Sequence, residues 1–195
     1  SEIKLESYCG GLVFSADGKS LFTLVGGNPS KPAAISRWSV ADGRELARHV
    51  VTSDTVTVGW SRFAIDPAEK HAAYFSSRDR KIHVLDLASG AERWSAVGAE
   101  ESVVSLAFSP DGKILASGSG FAESAIRLWD AATGAEMGRL EGHRRFTSQL
   151  LFLDTQTLAG AGGDATIRIW DVPTRRLQRT LRGHTLELTS LALMP

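Results

Sequence analysis

Apolar and polar positions along this chain form short runs, each closed by a turn, and one unit shows the pattern most clearly. Val103-Val104-Ser105-Leu106-Ala107-Phe108 is a brief apolar stretch rich in strand formers. Ser109-Pro110-Asp111-Gly112 follows it, with a proline that presets φ, an aspartate that can bond its own backbone and a glycine that tolerates positive φ. Ile114-Leu115-Ala116-Ser117 opens a second strand, and Ala125 to Trp129 alternates as a half-buried third strand should. Asp130-Ala131-Ala132-Thr133-Gly134 turns the chain again, and Glu136 to Leu140 makes a fourth, outer strand. No stretch carries long helical periodicity, so the pattern predicts an all-β fold of small antiparallel sheets.

The unit recurs. Ile126-Arg127-Leu128-Trp129-Asp130 is echoed by Ile167-Arg168-Ile169-Trp170-Asp171, and more weakly by Ile82-His83-Val84-Leu85-Asp86 and Ile35-Ser36-Arg37-Trp38-Ser39. The anchors Trp38, Leu85, Trp129 and Trp170 lie 47, 44 and 41 residues apart. Five residues after each anchor comes a tight-turn position, occupied by Gly43, Gly90, Gly134 and Arg175. Phe14-Ser15-Ala16-Asp17-Gly18-Lys19 matches Phe108-Ser109-Pro110-Asp111-Gly112-Lys113, with Ile65-Asp66-Pro67 and Phe152-Leu153-Asp154 in the same slot. Gly142-His143 and Gly183-His184 each follow an anchor tryptophan by fourteen residues. A period in the forties with several landmarks in phase signals one supersecondary unit copied along the chain, as in propeller blades. The repeats run approximately over 8–52, 53–99, 100–143 and 144–184, with 185–195 expected to open a further blade.

These motifs resemble the WD-repeat (WD40) family of β-propellers over nearly the whole chain. The third and fourth repeats match well; in the first, Ser39 replaces the aspartate of Trp-Asp, and in the second, Leu85 replaces the tryptophan. The resemblance implies four-stranded blades with the first strand lining a central channel and the fourth at the rim. The short Ser-Pro-Asp-Gly and Ala-Thr-Gly turns look like those of bacterial multidomain WD-repeat proteins. Leu191-Ala192-Leu193-Met194-Pro195 aligns with Leu106-Ala107-Phe108-Ser109-Pro110, the inner strand of a fifth blade. The expectation is therefore a partial propeller from a larger protein, its ring completed by further blades or by a second chain, with self-association through open blade faces.

Composition narrows the function classes. The 195 residues are 43% apolar, enough for a sizeable core, and 22 basic side chains balance 22 acidic ones. There is no global field to draw nucleic acid or an anionic membrane, and neither is expected as a partner. Cys9 is the sole cysteine, which favours a reducing compartment, and a cytoplasmic location is the expectation. No apolar run approaches the roughly 18 residues of a membrane span.

The resemblance also implies a side-chain network within each blade: a histidine before the first strand, a hydroxyl on the second, an aspartate in the next turn and the anchor tryptophan. His143, Asp164 and Trp170 fall on three of these positions in the fourth repeat, with Gly160 where the hydroxyl is expected. That leaves a triad, or a water in place of the hydroxyl. The third repeat has Ser117 and Trp129, but Ala99 in the histidine slot and Glu123 in the aspartate slot; the second has Asp79, with Thr52, Phe75 and Leu85 elsewhere.

Other chemistry is not signalled. No nucleophile accompanies His143 and Asp164 at a motif position, so no catalytic residue is expected. The five histidines lack zinc-site spacing, and no metal site is expected. Gly26-Gly27 and Gly160-Ala161-Gly162-Gly163 neither end in Gly-Lys-Ser/Thr nor open a helix, so no cofactor or phosphate loop is expected. Arg175, Arg176, Arg179 and Arg182 form the one dense basic stretch, read as an outer strand protected by charge.

Recognition then falls to the loops of a rigid disc. By resemblance, the loops leading into each blade and those between the second and third strands share one face. Candidate partner contacts there are Arg78, Arg80, Glu100, Glu101, Phe121, Glu123, Arg144, Arg145 and Phe146, with Leu186 and Glu187 beyond. The function expected is a non-catalytic protein-interaction scaffold or sensor module, binding another protein or another domain of its own polypeptide. The alternative is a propeller enzyme, of hydrolase or quinone-dependent dehydrogenase type, whose site would lie mostly outside this segment.

Overall fold

A computed structural model of the chain describes residues 9–26, 32–51, 63–98, 102–120 and 124–193. Among these residues, sixteen strands form four sheets, each of four consecutive antiparallel strands. The first blade holds β1 (Cys9–Phe14), β2 (Ser20–Val25), β3 (Ala34–Ser39) and β4 (Glu45–Val50). The second holds β5 (Phe63–Ile65), β6 (His71–Ser76), β7 (Lys81–Asp86) and β8 (Glu92–Val97). The third holds β9 (Val103–Phe108), β10 (Ile114–Ser119), β11 (Ile126–Asp130) and β12 (Glu136–Leu140). The fourth holds β13 (Thr147–Phe152), β14 (Thr157–Gly162), β15 (Ile167–Asp171) and β16 (Arg176–Leu181).

The anchors occupy equivalent third-strand positions. Trp38 pairs with Leu21, Leu85 with Ala72, Trp129 with Leu115 and Trp170 with Leu158. The pairing of third to fourth strand shifts register at the anchor in every blade: Arg37/Trp38, Val84/Leu85, Leu128/Trp129 and Ile169/Trp170. Such a bulge bends the outer strand and increases its twist. Behind each bulge the chain turns through a left-handed residue: Gly43, Gly90 and Gly134 at φ 72–74°, and Arg175 at 59°. Side chains lock these turns. Asp130 Oδ1 accepts the Thr133 hydroxyl and amide at 2.8 Å, Asp86 binds Ser89 in the same way, and Asp171 binds Thr174.

The hydrophobic core lies between blades. Phe22, Leu24 and Ile35 of the first blade meet Phe63, Tyr74 and Leu85 of the second. Phe75, Val84 and Trp94 of the second meet Val103, Leu115 and Trp129 of the third. Ile126, Leu128 and Leu140 of the third meet Leu150, Leu158 and Trp170 of the fourth. The inner strands pack in series, β1 on β5, β5 on β9 and β9 on β13.

The stretch expected to open a fifth blade holds no strand among its described residues, 185–193. Leu188 to Leu193 instead runs as irregular chain against β13, where the Ser148 hydroxyl donates to the Leu188 carbonyl and the Leu191 amide donates to the Gln149 side chain.

Candidate functional site

In the fourth blade, His143 stands just before β13 and Asp164 in the turn joining β14 to β15. His143 Nδ1 lies 3.1 Å from Asp164 Oδ1, so the loop leading into the blade and the second turn sit at one end of the sheet. Asp164 also accepts the Arg144 amide at 3.0 Å and the Thr166 hydroxyl at 2.6 Å, and Arg168 lies 3.6 Å away. Burial alone would raise this carboxyl, but the Thr166 hydroxyl, the Arg144 amide and His143 outweigh it and lower the pKa from 3.8 to about 2. Burial pushes the His143 imidazole below the usual histidine range, opposed by the Asp164 charge.

The position without a hydroxyl is resolved through backbone carbonyls. His143 Nε2 faces the Gly160 carbonyl oxygen at 3.2 Å, and the Trp170 indole donates to the Glu141 carbonyl at 2.9 Å. The two rings meet edge to face at 5.4 Å. In the first and third blades the indole does find a hydroxyl: Trp38 donates to Thr23 and Trp129 to Ser117, both at 2.9 Å. In the second blade the position equivalent to Thr23 and Ser117 belongs to Tyr74, which pairs with His83 two residues before the anchor. This corrects the placement of Phe75 there, since a slip of one residue turns a side chain to the other face of the sheet. Tyr74 stacks on His83, whose two nitrogens reach Glu92 at 2.7 Å and Asp79 at 3.1 Å. Thr52 and Ala99 lie outside the described residues.

His143 and Asp164 bind each other and the backbone and hydroxyl groups around them. The nearby Thr166 hydroxyl donates to the carboxylate and not to the imidazole, and the second imidazole nitrogen is turned to a backbone carbonyl. A nucleophile would have to face that nitrogen. Among the described residues, no group of three or more histidine, cysteine, aspartate or glutamate side chains is placed to hold a metal ion, and no helix is long and apolar enough to cross a membrane.

The same end of the blades carries those candidate contact residues that are described, Arg78, Arg80, Arg144, Arg145 and Phe146. Arg78 and Arg80 sit exposed in the β6–β7 turn, the counterpart of the Asp164 turn, and Arg80 takes a positive φ of 59°. Arg144 is exposed. Arg145 is half-exposed, donates to the Gly163 carbonyl and pairs with Glu187 at 2.6 Å. Phe146 is a correction: it is 2% exposed and packs over Gly163, where a Cβ would lie 2.5 Å from its ring. Its ring supports the loop from beneath, with the Arg145 guanidinium 5.5 Å above it. Glu100, Glu101, Phe121 and Glu123 lie outside the described residues.

Sequence reasoning passed over Trp94. On the outer strand β8, its indole donates to the Ala131 carbonyl of the next blade at 2.9 Å. A tryptophan on an outer strand was the available signal. Arg175, read as plain edge charge, lies over Gly138 of the neighbouring blade and donates to the Met137 carbonyl.

Comparison with known proteins agrees with this architecture. Residues 93–130 and 134–171 match the family described as WD domain, G-beta repeat. The chain is similar to Cell division cycle 20.5, cofactor of APC complex, from Arabidopsis thaliana, with 31% identity over 173 residues, 86% of this chain and 37% of that protein. It is 29% identical over 119 residues to Apoptotic protease-activating factor 1 of Mus musculus, covering 61% of this chain and 9% of that protein. Among solved structures, that titled Crystal structure of RRP9 WD40 repeats superposes with a TM-score of 0.76 at 24% identity, over 94% of this chain and 54% of the other. The chain thus spans about half of that propeller and a smaller share of the two curated relatives. Those relatives are eukaryotic and lend no support to a bacterial origin.

Proposed function

We propose that this chain, which carries WD repeats folded as four propeller blades, is a non-catalytic protein-interaction module within a larger multidomain protein. The observation that carries the reading is the construction of one end of the blades. Buried residues, His143, Asp164 and Phe146, brace the loops, while Arg144 and Arg145 stand outward from them. A rigid platform beneath exposed arginines is the composition of an interface anchor, since little order is lost when a partner docks. The similarity to a protein described as a cofactor of a complex supports the same reading. The partner is another protein or another domain of the same polypeptide, met in the cytoplasm.

The test is affinity capture with the chain as bait, comparing wild type with a variant carrying Arg78→Glu, Arg144→Glu and Arg145→Glu. A partner held by wild type and lost by a variant of unchanged melting temperature supports this face. Equal capture by both places the contact elsewhere.

A further inference from the structure

Two residues before each anchor, the third strand carries Ser36, His83, Arg127 and Arg168, opposite Thr23, Tyr74, Ser117 and Gly160 on the second strand. In the third and fourth blades this position holds a buried arginine answered by a carboxylate. Arg127 reaches Glu136, which pairs with the anchor Trp129, at 3.5 Å. Arg168 reaches Asp164, four residues before it in the turn, at 3.6 Å. The second blade keeps both acids, since Glu92 pairs with the anchor Leu85 and Asp79 lies four residues before His83. Their shared partner there is an imidazole. A guanidinium keeps its charge whatever the pH, whereas an imidazole gains or loses it.

His83 is buried, and its ring stacks on Tyr74 with centroids 5.0 Å apart. Nδ1 lies 2.7 Å from Glu92 and Nε2 lies 3.1 Å from Asp79. A carboxylate only accepts, so both contacts are hydrogen bonds only when both nitrogens carry protons. The neutral ring has one proton. Placed on Nδ1, it keeps the shorter bond to Glu92 and leaves a nitrogen lone pair against Asp79. Around the ring, β6 contributes Tyr74, β8 contributes Glu92, and the β6–β7 turn contributes Asp79 in a run with Arg78, Arg80 and Lys81. Arg93, also on β8, donates to His71 instead. Among the described residues, the first blade meets this side with the apolar Phe22, Leu24 and Ile35. Its charged or titratable groups there, Arg37 and His49, lie against Glu69 and Gly90.

We infer that His83 is a proton-operated latch on the β6–β7 turn: it holds Asp79, and with it Arg78 and Arg80, when the imidazole is protonated and releases them when it is neutral. The turn leans on this contact more than its counterpart in the fourth blade does. There Asp164 is held by His143, the Arg144 amide and the Thr166 hydroxyl as well as by Arg168. Asp79 has the Lys81 amide at 3.2 Å and Ser76 besides His83. Its side chain is 40% exposed against 9% for Asp164, so water can take the place of a lost partner. Burial would raise the Asp79 carboxyl, but the hydrogen bond and charge of His83 lead the groups that lower it. Arg80 in the same turn takes a left-handed φ of 59°, which a non-glycine residue keeps only where its surroundings hold it. The inference deepens the protein-binding reading and rests on it for the use made of Arg78 and Arg80, adding that this part of the face is regulated by pH.

The test needs no partner. The chain, labelled with ¹⁵N and with ¹³C in its histidines, is followed by NMR from about pH 5 to about pH 9.5. Backbone order parameters at residues 78–81 should stay near about 0.85, the rigid value, while the His83 ring signals report the protonated form, and should fall below about 0.6 as those signals pass to the neutral form. His83→Arg, which copies Arg127 and Arg168, should keep the turn rigid across the range. His83→Gln should leave it mobile across the range. Wild type decides the matter even if neither variant folds. Order parameters at 78–81 that do not change through the His83 midpoint, a His83 ring signal that does not change over the range, or a folded His83→Arg protein whose turn still loosens with pH would overturn the inference. Such a failure would leave capture through the arginine face standing. Equal capture by the arginine variant would instead remove the use of the turn and leave the latch intact.

Discussion

His143 Nδ1 and Asp164 Oδ1 lie 3.1 Å apart, and this contact ties the loop that enters the fourth blade to the turn between its second and third strands. Both side chains are almost wholly buried, and Asp164 gathers the Arg144 amide and Thr166 hydroxyl as well. The carboxylate is therefore the hub of the loop platform. Asp164→Ala should lower unfolding stability by about 1–3 kcal/mol, the scale for stranding buried partners. Urea denaturation monitored by tryptophan fluorescence measures it. A loss below a few tenths of a kcal/mol would show that the loops hold without the hub.

The same carboxylate gives a pH dependence of definite sign. Its pKa is about 2 in the folded chain against an ordinary value of 3.8, so the folded state binds its proton less readily than the unfolded state. Its stabilising contribution is present above about pH 4 and is lost as pH falls through about 2. The His143 shift acts in the same direction at higher pH, since a lowered imidazole pKa also makes the unfolded chain the better proton acceptor below 6.5. Urea midpoints measured from pH 7 down to pH 2 should fall, and Asp164→Asn should flatten the acidic end of that curve. Parallel curves for the two proteins would assign the acid sensitivity to other groups.

Trp94 and Gly134 should be energetically coupled across their blade junction. Trp94→Ala removes a buried indole and its hydrogen bond, and should cost about 3–5 kcal/mol. Gly134→Ala forces a Cβ into the indole at a φ of 74°, so it should also destabilise. The two losses should not add, because the clash disappears once the indole is gone. A double-mutant cycle showing a coupling above about 0.5 kcal/mol supports the packing described here, and strict additivity contradicts it.

The anchors were legible because spacing alone locates them. Trp38, Leu85, Trp129 and Trp170 are each followed by a bulge and a turn that tolerate little change in length, so their phase survives even where Leu85 replaces the aromatic ring. The turn motifs built on Asp111, Asp130 and Asp171 were legible for the same local reason. Positions counted across longer loops were not. Tyr74 rather than Phe75 stands at the position equivalent to Thr23 and Ser117, a slip of one residue that period counting cannot detect. Phe146 read as exposed because its neighbours Arg144 and Arg145 are polar, but Gly163 opposite it leaves room for the ring to turn inward. The matching of Trp94 to Gly134 and of Arg175 to Gly138 depends on how consecutive blades pack, and a repeat alignment treats each blade separately.

In the function proposed above, this chain binds protein through the platform braced by His143 and Asp164. Its most direct measurement is quantitative affinity capture, followed by mass spectrometry, with wild type and the Arg78→Glu/Arg144→Glu/Arg145→Glu variant matched for melting temperature. The account predicts a partner recovered in stoichiometric amount by wild type and depleted at least about tenfold by the variant, as expected when interface anchors reverse charge. Recovery of the same partner in equal amount by both proteins would contradict it.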